Sequence, residues 1–147
     1  MEERDVELRN LTYLLFVELG RAPTAGEVAQ QAGTVLMQVQ EGWRRLHSAH
    51  ALVLDPVNTE IRMANPFSAQ PTAYRVKTNG RWWFANCAWD AFGICGALHD
   101  DGRIETACMD CGETIAIEVR DKHPDNESLL FHSHHPARRW WDDITLP

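Results

Sequence analysis

The residues best suited to chemistry are Cys87 and Asp90, a thiol and a carboxylate three positions apart in the aromatic stretch 82–93. This stretch has the pattern of a hydrophobic strand that ends where a helix begins, and positions i and i+3 of a helix share one face. A thiol at a helix N-terminus can have its pKa lowered toward the reactive thiolate. The spacing therefore predicts one reactive unit, a nucleophile or soft-metal ligand beside a proton carrier.

Aromatic side chains surround this pair in the sequence and predict a substrate pocket. We assign Trp83, Trp89 and Phe92 to its wall, although aromatic residues are also common in a protein core. A water-poor pocket suits an apolar organic substrate and raises the pKa of Asp90, which keeps the carboxyl protonated as an acid. The same desolvation raises the pKa of Cys87 and opposes the effect of the helix N-terminus. The sequence leaves that balance open.

A second set of candidate metal ligands follows the pair along the chain. Cys108 and Cys111, followed by a glycine, have the spacing of half a zinc knuckle, and a structural zinc site needs two further ligands. His132 and His134 share one face of a predicted strand, and histidine is the commonest metal ligand. The candidate metal ligands are thus Cys87, Cys108, Cys111, His132 and His134. The alternative for the histidines is a solvated or hydrogen-bonded surface cluster.

Length and charge limit the classes of protein to which the chain can belong. Its 147 residues fit one compact domain or two small units, and its 44% hydrophobic and 24% charged residues are a globular composition. No apolar run approaches the ~18 residues that cross a membrane, and the acidic first residues are unlike a signal peptide. We expect a cytoplasmic protein with reduced cysteines. The net charge of −7 argues against nucleic-acid binding, so the expected partner is a small molecule or a metal ion.

Residues 1–64 are predicted to form a helical domain. Leucines recur at helical spacing through the first helix, Thr24 and Glu27 have the spacing of a capping box, and a third amphipathic helix ends near Leu46. Two short strands around a turn follow over 51–63 and complete a winged-helix-like plan. The domain holds nine acidic and six basic side chains, and the third helix starts without basic residues. These charges favour a packing module over a DNA-reading one.

Residues 65–147 are predicted to form a second domain, an α/β core. Asn79 and Gly80 are typical of a tight hairpin turn, and alternating hydrophobic residues predict strands on both sides of it. The predicted strands cover 72–77, 82–85, 103–108, 114–119 and 129–134, and the predicted helices cover 87–98 and 137–144. The fold class is therefore α+β, with a winged-helix-like helical unit packed on a small mixed or antiparallel sheet.

This second domain resembles the alkylmercury lyase family, the organomercurial lyases. The resemblance rests on Asn-Pro-Phe-Ser at 65–68, Trp-Phe-Ala-Asn-Cys-Ala-Trp-Asp-Ala-Phe-Gly at 83–93, Thr-Ala-Cys-Met-Asp-Cys-Gly at 106–112, Phe-His-Ser-His at 131–134 and Arg-Arg-Trp-Trp-Asp-Asp at 138–143. It implies an alkylmercury lyase type of core, preceded by a winged-helix-like region.

The resemblance also implies an activity, the cleavage of a carbon–mercury bond by protonolysis without a required cofactor. In the family, two cysteine thiolates bind mercury and an aspartate relays a proton to the departing carbon. Cys87 matches the first of these cysteines and Asp90 matches the aspartate. Cys108 matches a further family cysteine with a structural role. Thiolates are the preferred ligands of soft metals, so the residue types suit this chemistry.

The chain departs from the family at the second catalytic cysteine. Alignment on the His-Ser-His element puts Leu130 or Phe131 at that position, and no cysteine follows Cys111. Either Cys95, Cys111 or a histidine supplies the second ligand, or the substrate is another small organic molecule attacked by the thiol. The alternative function is a non-catalytic protein that binds copper, zinc or mercury, including a metal-responsive regulator.

Overall fold

The computed structural model describes residues 2–130, 136–142 and 144 of the chain. The chain divides into two compact units, residues 1–71 and 72–147. Helices and antiparallel strands are both present, which confirms the α+β fold class. No helix in the described part of the chain is long and apolar enough to cross a membrane.

The first unit is built mainly from three helices, α1 (Glu3–Leu19), α2 (Ala25–Ala32) and α3 (Leu36–Ser48). α1 ends at Gly20, whose φ of 72° is a left-handed conformation that glycine adopts without strain. α2 begins with the predicted capping box. The Thr24 hydroxyl accepts a hydrogen bond from the Glu27 N–H, and the Glu27 carboxylate accepts one from the Thr24 N–H at 2.8 Å.

Three short antiparallel strands follow these helices: β1 (Val53–Leu54), β2 (Ile61–Ala64) and β3 (Phe67–Ser68). The core of the unit is partly aromatic. The Phe16 and Phe67 rings stack with centroids 5.1 Å apart, and Trp43 is fully buried. The winged-helix arrangement of this unit remains a prediction.

A buried hydrogen bond between α1 and α3 gives a test of how this core is held together. The Trp43 indole N–H donates to the Thr12 hydroxyl at 3.0 Å, and both side chains are buried. Thr12→Val keeps the shape of the side chain but leaves the indole N–H without its acceptor. A buried unsatisfied donor costs about 1–3 kcal/mol, so we expect the free energy of unfolding to fall by about that amount. Urea unfolding followed by circular dichroism measures the change.

Thr12→Ser is the matched control for this substitution, because it removes a methyl group and keeps the hydroxyl. It should lose less stability than Thr12→Val. If the valine variant is as stable as the unchanged chain, the hydrogen bond contributes nothing and this description of the core is wrong.

The second unit is an antiparallel sheet with a helix on one face. Its strands are β4 (Tyr74–Thr78), β5 (Arg81–Ala85), β6 (Gly102–Ala107), β7 (Thr114–Arg120) and β8 (His123–Pro124). They lie in the order β5-β4-β6-β7-β8. The predicted turn at Asn79 and Gly80 joins β4 to β5, and it pairs Thr78 with Arg81.

The helix of this unit, α4 (Ala88–Leu98), packs against β4, β5 and β6. Ala91, Ile94 and Cys95 are its buried side chains. A Cβ atom placed on Gly102 would lie 2.5 Å from the Cys95 sulfur, so β6 and α4 approach closely where glycine leaves room. Cys95 is therefore a packed core residue.

The C-terminal part of the chain differs from the prediction at several points. Leu129 and Leu130 lie outside any strand, and the rest of the strand predicted over 129–134 lies outside the described residues. The helix predicted over 137–144 is a 3-10 helix, Ala137–Asp142. It begins after Pro136, whose carbonyl accepts a hydrogen bond from the Arg139 N–H at 2.8 Å, the i to i+3 bond of a 3-10 turn.

Candidate functional site

Cys87 lies at the junction between β5 and α4, and it is the N-cap residue of the helix. Its backbone is extended, with φ −155° and ψ 179°, while its carbonyl already accepts the first helical hydrogen bond from the Ala91 N–H at 3.0 Å. Its sulfur accepts a hydrogen bond from the Asp90 N–H at 3.5 Å. A thiol thus occupies the capping position that serine, threonine or aspartate usually fills.

Asp90 stands beside this thiol on the first turn of α4. Hydrogen bonding between its carboxyl group and the Cys87 thiol lowers the pKa of Asp90 and raises the pKa of Cys87. The Asn86 side-chain amide also donates to the Asp90 carboxylate, at 3.0 Å. The three side chains form a short polar chain at the start of the helix, and they come from a segment of five consecutive residues. Local sequence alone is therefore enough to assemble this group.

Burial dominates the protonation of both members of the pair. It raises the pKa of the Cys87 thiol, and the neighbouring Asp90 charge raises it further, while the N–H groups of Asp90 and Trp89 oppose the rise. Burial also raises the pKa of Asp90, against the hydrogen bonds from Asn86 and Cys87. Desolvation therefore outweighs the helix N-terminus, which settles the balance that the sequence left open. The pair holds its protons more tightly than free side chains do.

Tyr74 is a member of this neighbourhood that the sequence analysis missed. Burial raises the pKa of its phenol, and negative charge on Cys87 raises it further. Tyr74 pairs across the hairpin with Ala85, two residues before Cys87. The register set by Asn79 and Gly80 contains this signal, because pairing Thr78 with Arg81 places Tyr74 opposite Ala85.

The three residues assigned to a pocket wall lie in different environments. Trp83 is only 3% exposed, points into the core beside α4, and donates its indole N–H to the Thr78 carbonyl at 3.2 Å. Trp89 and Phe92 lie on α4 with 66% and 39% of their surfaces exposed. Trp83 therefore supports the sheet beneath the helix. Trp89 and Phe92 offer apolar surface near Cys87.

The second cysteine pair, Cys108 and Cys111, lies in the turn between β6 and β7. The N–H groups of Cys111 and Asp110 donate hydrogen bonds to the Cys108 sulfur, and they lower the pKa of that thiol. Hydrogen bonding from the Cys111 thiol lowers the pKa of Cys108 further. Cys111 is exposed and Cys108 is half-buried.

The predicted metal ligands are thus brought together only in part. No group of three or more histidine, cysteine or acidic side chains that could hold a metal ion occurs among the described residues. His132 and His134 lie outside the described residues, as does Phe131. Leu130, the other candidate for the position of the missing thiol, is 93% exposed.

Both the sequence and the fold of this chain match a known protein family. The family model described as alkylmercury lyase matches residues 67–146. The crystal structure of the mercury-bound form of MerB2 superposes with a TM-score of 0.67 at 26% sequence identity, covering 86% of this chain and 60% of that one. No curated protein matches the sequence. The chain belongs to the alkylmercury lyase family, and it spans about three-fifths of the length of the MerB2 chain.

Proposed function

We propose that this protein cleaves the carbon–mercury bond of organomercurials, with Cys87 as the mercury-binding thiolate and Asp90 as the proton carrier. The observation that carries the proposal is the placement of a thiol and a carboxyl group on the first turn of α4, where the Cys87 sulfur accepts a hydrogen bond from the Asp90 N–H at 3.5 Å. Membership of the alkylmercury lyase family supports the reaction class. The mercury bound in the MerB2 structure supports the choice of metal.

The first step is the binding of the organomercurial by sulfur. The Cys87 thiol passes its proton to the Asp90 carboxylate as the sulfur bonds to mercury, since the two residues share the first turn of the helix. Burial raises the pKa of Asp90 and stabilises the neutral carboxylic acid that receives the proton. Burial also raises the pKa of Cys87, so the bond from sulfur to mercury is what displaces the thiol proton. The Asp90 N–H, 3.5 Å from the sulfur, stabilises the thiolate that remains.

The second step is the proton transfer to carbon. Asp90 donates its proton to the carbon atom bound to mercury, the carbon–mercury bond breaks, and its electron pair forms the new carbon–hydrogen bond. The products are the hydrocarbon, a mercuric thiolate and an ionised Asp90. Mercury keeps its +2 charge throughout, so the reaction needs no oxidant or reductant.

A second sulfur ligand is needed to make the carbon more basic, and we assign it to a low-molecular-weight thiol from solution. Among the described residues, no third histidine, cysteine or acidic residue joins Cys87 and Asp90 in a metal-sized cluster. The incoming thiolate adds to mercury opposite Cys87. After protonolysis a second molecule of the same monothiol displaces Cys87, so mercury leaves bound to two monothiolates and the proton of that second thiol returns to the Cys87–Asp90 pair. Cys87 is half-buried and not sealed in the core, so such a co-substrate can reach it.

This assignment predicts that turnover depends on added thiol. Benzene release from phenylmercuric acetate should rise with the concentration of a monothiol such as cysteine and then saturate, because the thiol supplies a ligand that the chain does not. Gas chromatography measures the benzene, and a blank with thiol alone gives the uncatalysed rate. Turnover that is independent of thiol would show that the second ligand belongs to the protein.

The raised pKa values of Asp90 and Cys87 predict that the acid and basic limbs of the pH profile of kcat/KM both lie at higher pH than for free side chains. The working pair holds one proton, with Asp90 ionised and Cys87 protonated. Below the pKa of Asp90 the thiol has no acceptor, and above the pKa of Cys87 the pair has no proton to deliver. Both pKa values are raised, so kcat/KM should rise through an acid limb above the usual aspartate range and fall through a basic limb above the usual thiol range.

The pH dependence of kcat/KM at saturating thiol checks this expectation. Asp90→Asn should remove the acid limb from whatever activity remains. An acid limb in the usual aspartate range would contradict the protonation states assigned to the pair.

A further inference from the structure

The turn between β6 and β7 holds two cysteines that the proposed reaction does not use. We call residues 108–112 the cysteine turn. The Cys108 N–H donates to the Glu113 carbonyl at 2.8 Å, and the Gly112 N–H donates to the Cys108 carbonyl at 2.9 Å. Gly112 has a φ of 74°, in the left-handed region that favours glycine. These features close the loop tightly over the residues that carry Cys108 and Cys111.

The two cysteines lie three residues apart in this closed turn, and both can be reached from solvent. The hydrogen bond from the Gly112 N–H to the Cys108 carbonyl folds the chain back between them, and the backbone N–H groups of Asp110 and Cys111 donate to the Cys108 sulfur. Backbone N–H donors stabilise negative charge on a thiolate, whether it is free or bound to a metal. Cys111 is exposed and Cys108 is half-buried, so neither thiol is sealed in the core as Cys95 is.

We propose that Cys108 and Cys111 form a second metal-binding site, which holds one soft ion such as Hg²⁺ between two thiolates. Binding replaces the two thiol protons with two metal–sulfur bonds and releases both protons to solvent. Metal–thiolate bonds of about 2.3 Å, as in zinc sites, place the two sulfurs at most about 4.6 Å apart. Cys111 is exposed, so its side chain can change rotamer toward Cys108 without disturbing a packed core.

The number of ligands determines which metal this site prefers. Structural zinc needs four ligands, and no third histidine, cysteine or acidic residue joins the two cysteines among the described residues. A mercuric ion binds two sulfur atoms in a linear arrangement, so the two cysteines can complete its coordination without further ligands. Two thiols on one chain also act as a chelate, which should retain the ion against monothiols that strip it from a lone cysteine.

The test uses the Cys87→Ser variant, so that it does not depend on the proposed carbon–mercury cleavage. The reduced full-length protein is loaded with mercuric chloride under anaerobic conditions, and then washed with excess cysteine as a monothiol competitor. Native mass spectrometry counts the mercury retained, and ultraviolet absorption detects mercury–thiolate bonds. We expect one ion per chain in Cys87→Ser and none in Cys87→Ser/Cys111→Ser. Loading with zinc chloride should leave no ion after the same wash.

Met109→Leu is the matched control in the same turn, because Met109 carries an exposed thioether between the two cysteines. Cys87→Ser/Met109→Leu should retain as much mercury as Cys87→Ser. The proposal is overturned if Cys87→Ser retains no mercury, if removal of Cys111 leaves retention unchanged, or if the protein returns a Cys108–Cys111 disulfide in place of bound metal. Circular dichroism confirms that each variant is folded, since Cys111 is exposed and its substitution disturbs no core.

Discussion

Cys87→Ser should abolish the release of benzene from phenylmercuric acetate. Serine keeps the size and the capping role of the residue, and a hydroxyl is a better helix N-cap than a thiol, so α4 should remain intact. An alcohol is a poor ligand for a soft metal, however, and its proton is far harder to remove. We therefore expect activity to fall to the rate of the thiol-only blank, measured by gas chromatography under saturating monothiol.

Cys95→Ala is the control for this loss. Cys95 lies on the same helix, but it is packed against β6 next to Gly102. Its replacement should cost some stability through a small cavity and leave hydrocarbon release close to that of the unchanged protein. If Cys87→Ser and Cys95→Ala lose hydrocarbon release equally, the reaction depends on an intact α4 and not on the Cys87 sulfur.

Asp90→Asn should separate mercury binding from bond cleavage. Asparagine has the shape of aspartate and can still accept the hydrogen bond from Asn86, but it cannot carry a proton between sulfur and carbon. General acid–base catalysis typically contributes 10²–10⁴-fold, so we expect kcat to fall by about that factor. Cys87 should still bind phenylmercury with one-to-one stoichiometry, as measured by mass spectrometry.

Asp90→Glu provides the conservative comparison, because it keeps the carboxyl group and moves it by one methylene. Higher activity in the glutamate variant than in the asparagine variant would identify proton transfer as the missing function. If Asp90→Asn turns over as fast as the unchanged protein, Asp90 is not the proton carrier and the proposed mechanism is wrong.

Much of the fold follows from local signals in the sequence. The capping box at Thr24 and Glu27 starts α2, and the turn at Asn79 and Gly80 fixes the register of β4 and β5. Both signals act over a few residues, so their outcome does not depend on the rest of the chain. The two-residue strand β8 had no such signal, because its backbone pairing with β7 is set by that partner. The helix at 137–142 is a 3-10 helix, whose hydrogen bonds join residues three apart and not four apart as in an α-helix. The spacing of hydrophobic residues in so short a segment does not distinguish the two.

The candidate site was predictable in its members but not in its electrostatics. Cys87 and Asp90 are close because they are three residues apart at the start of a helix. Whether their pKa values rise or fall depends on burial by the surrounding unit, and here burial prevails. Burial also determines which aromatic residues lie in the core and which lie at the surface. Trp83 faces the core, while Trp89 is mostly exposed, although both flank the same cysteine.

The most direct test of the proposed chemistry is a single-turnover comparison of the unchanged protein with Asp90→Asn. Each protein is loaded with one equivalent of phenylmercury, freed of unbound substrate, and mixed with excess monothiol, and the benzene formed over time is measured. We expect stoichiometric benzene from the unchanged protein and a rate about 10²–10⁴-fold lower from Asp90→Asn, with equal mercury bound at the start. Benzene from the unchanged protein at no more than the thiol-only rate, or equal rates from the two proteins, would contradict it.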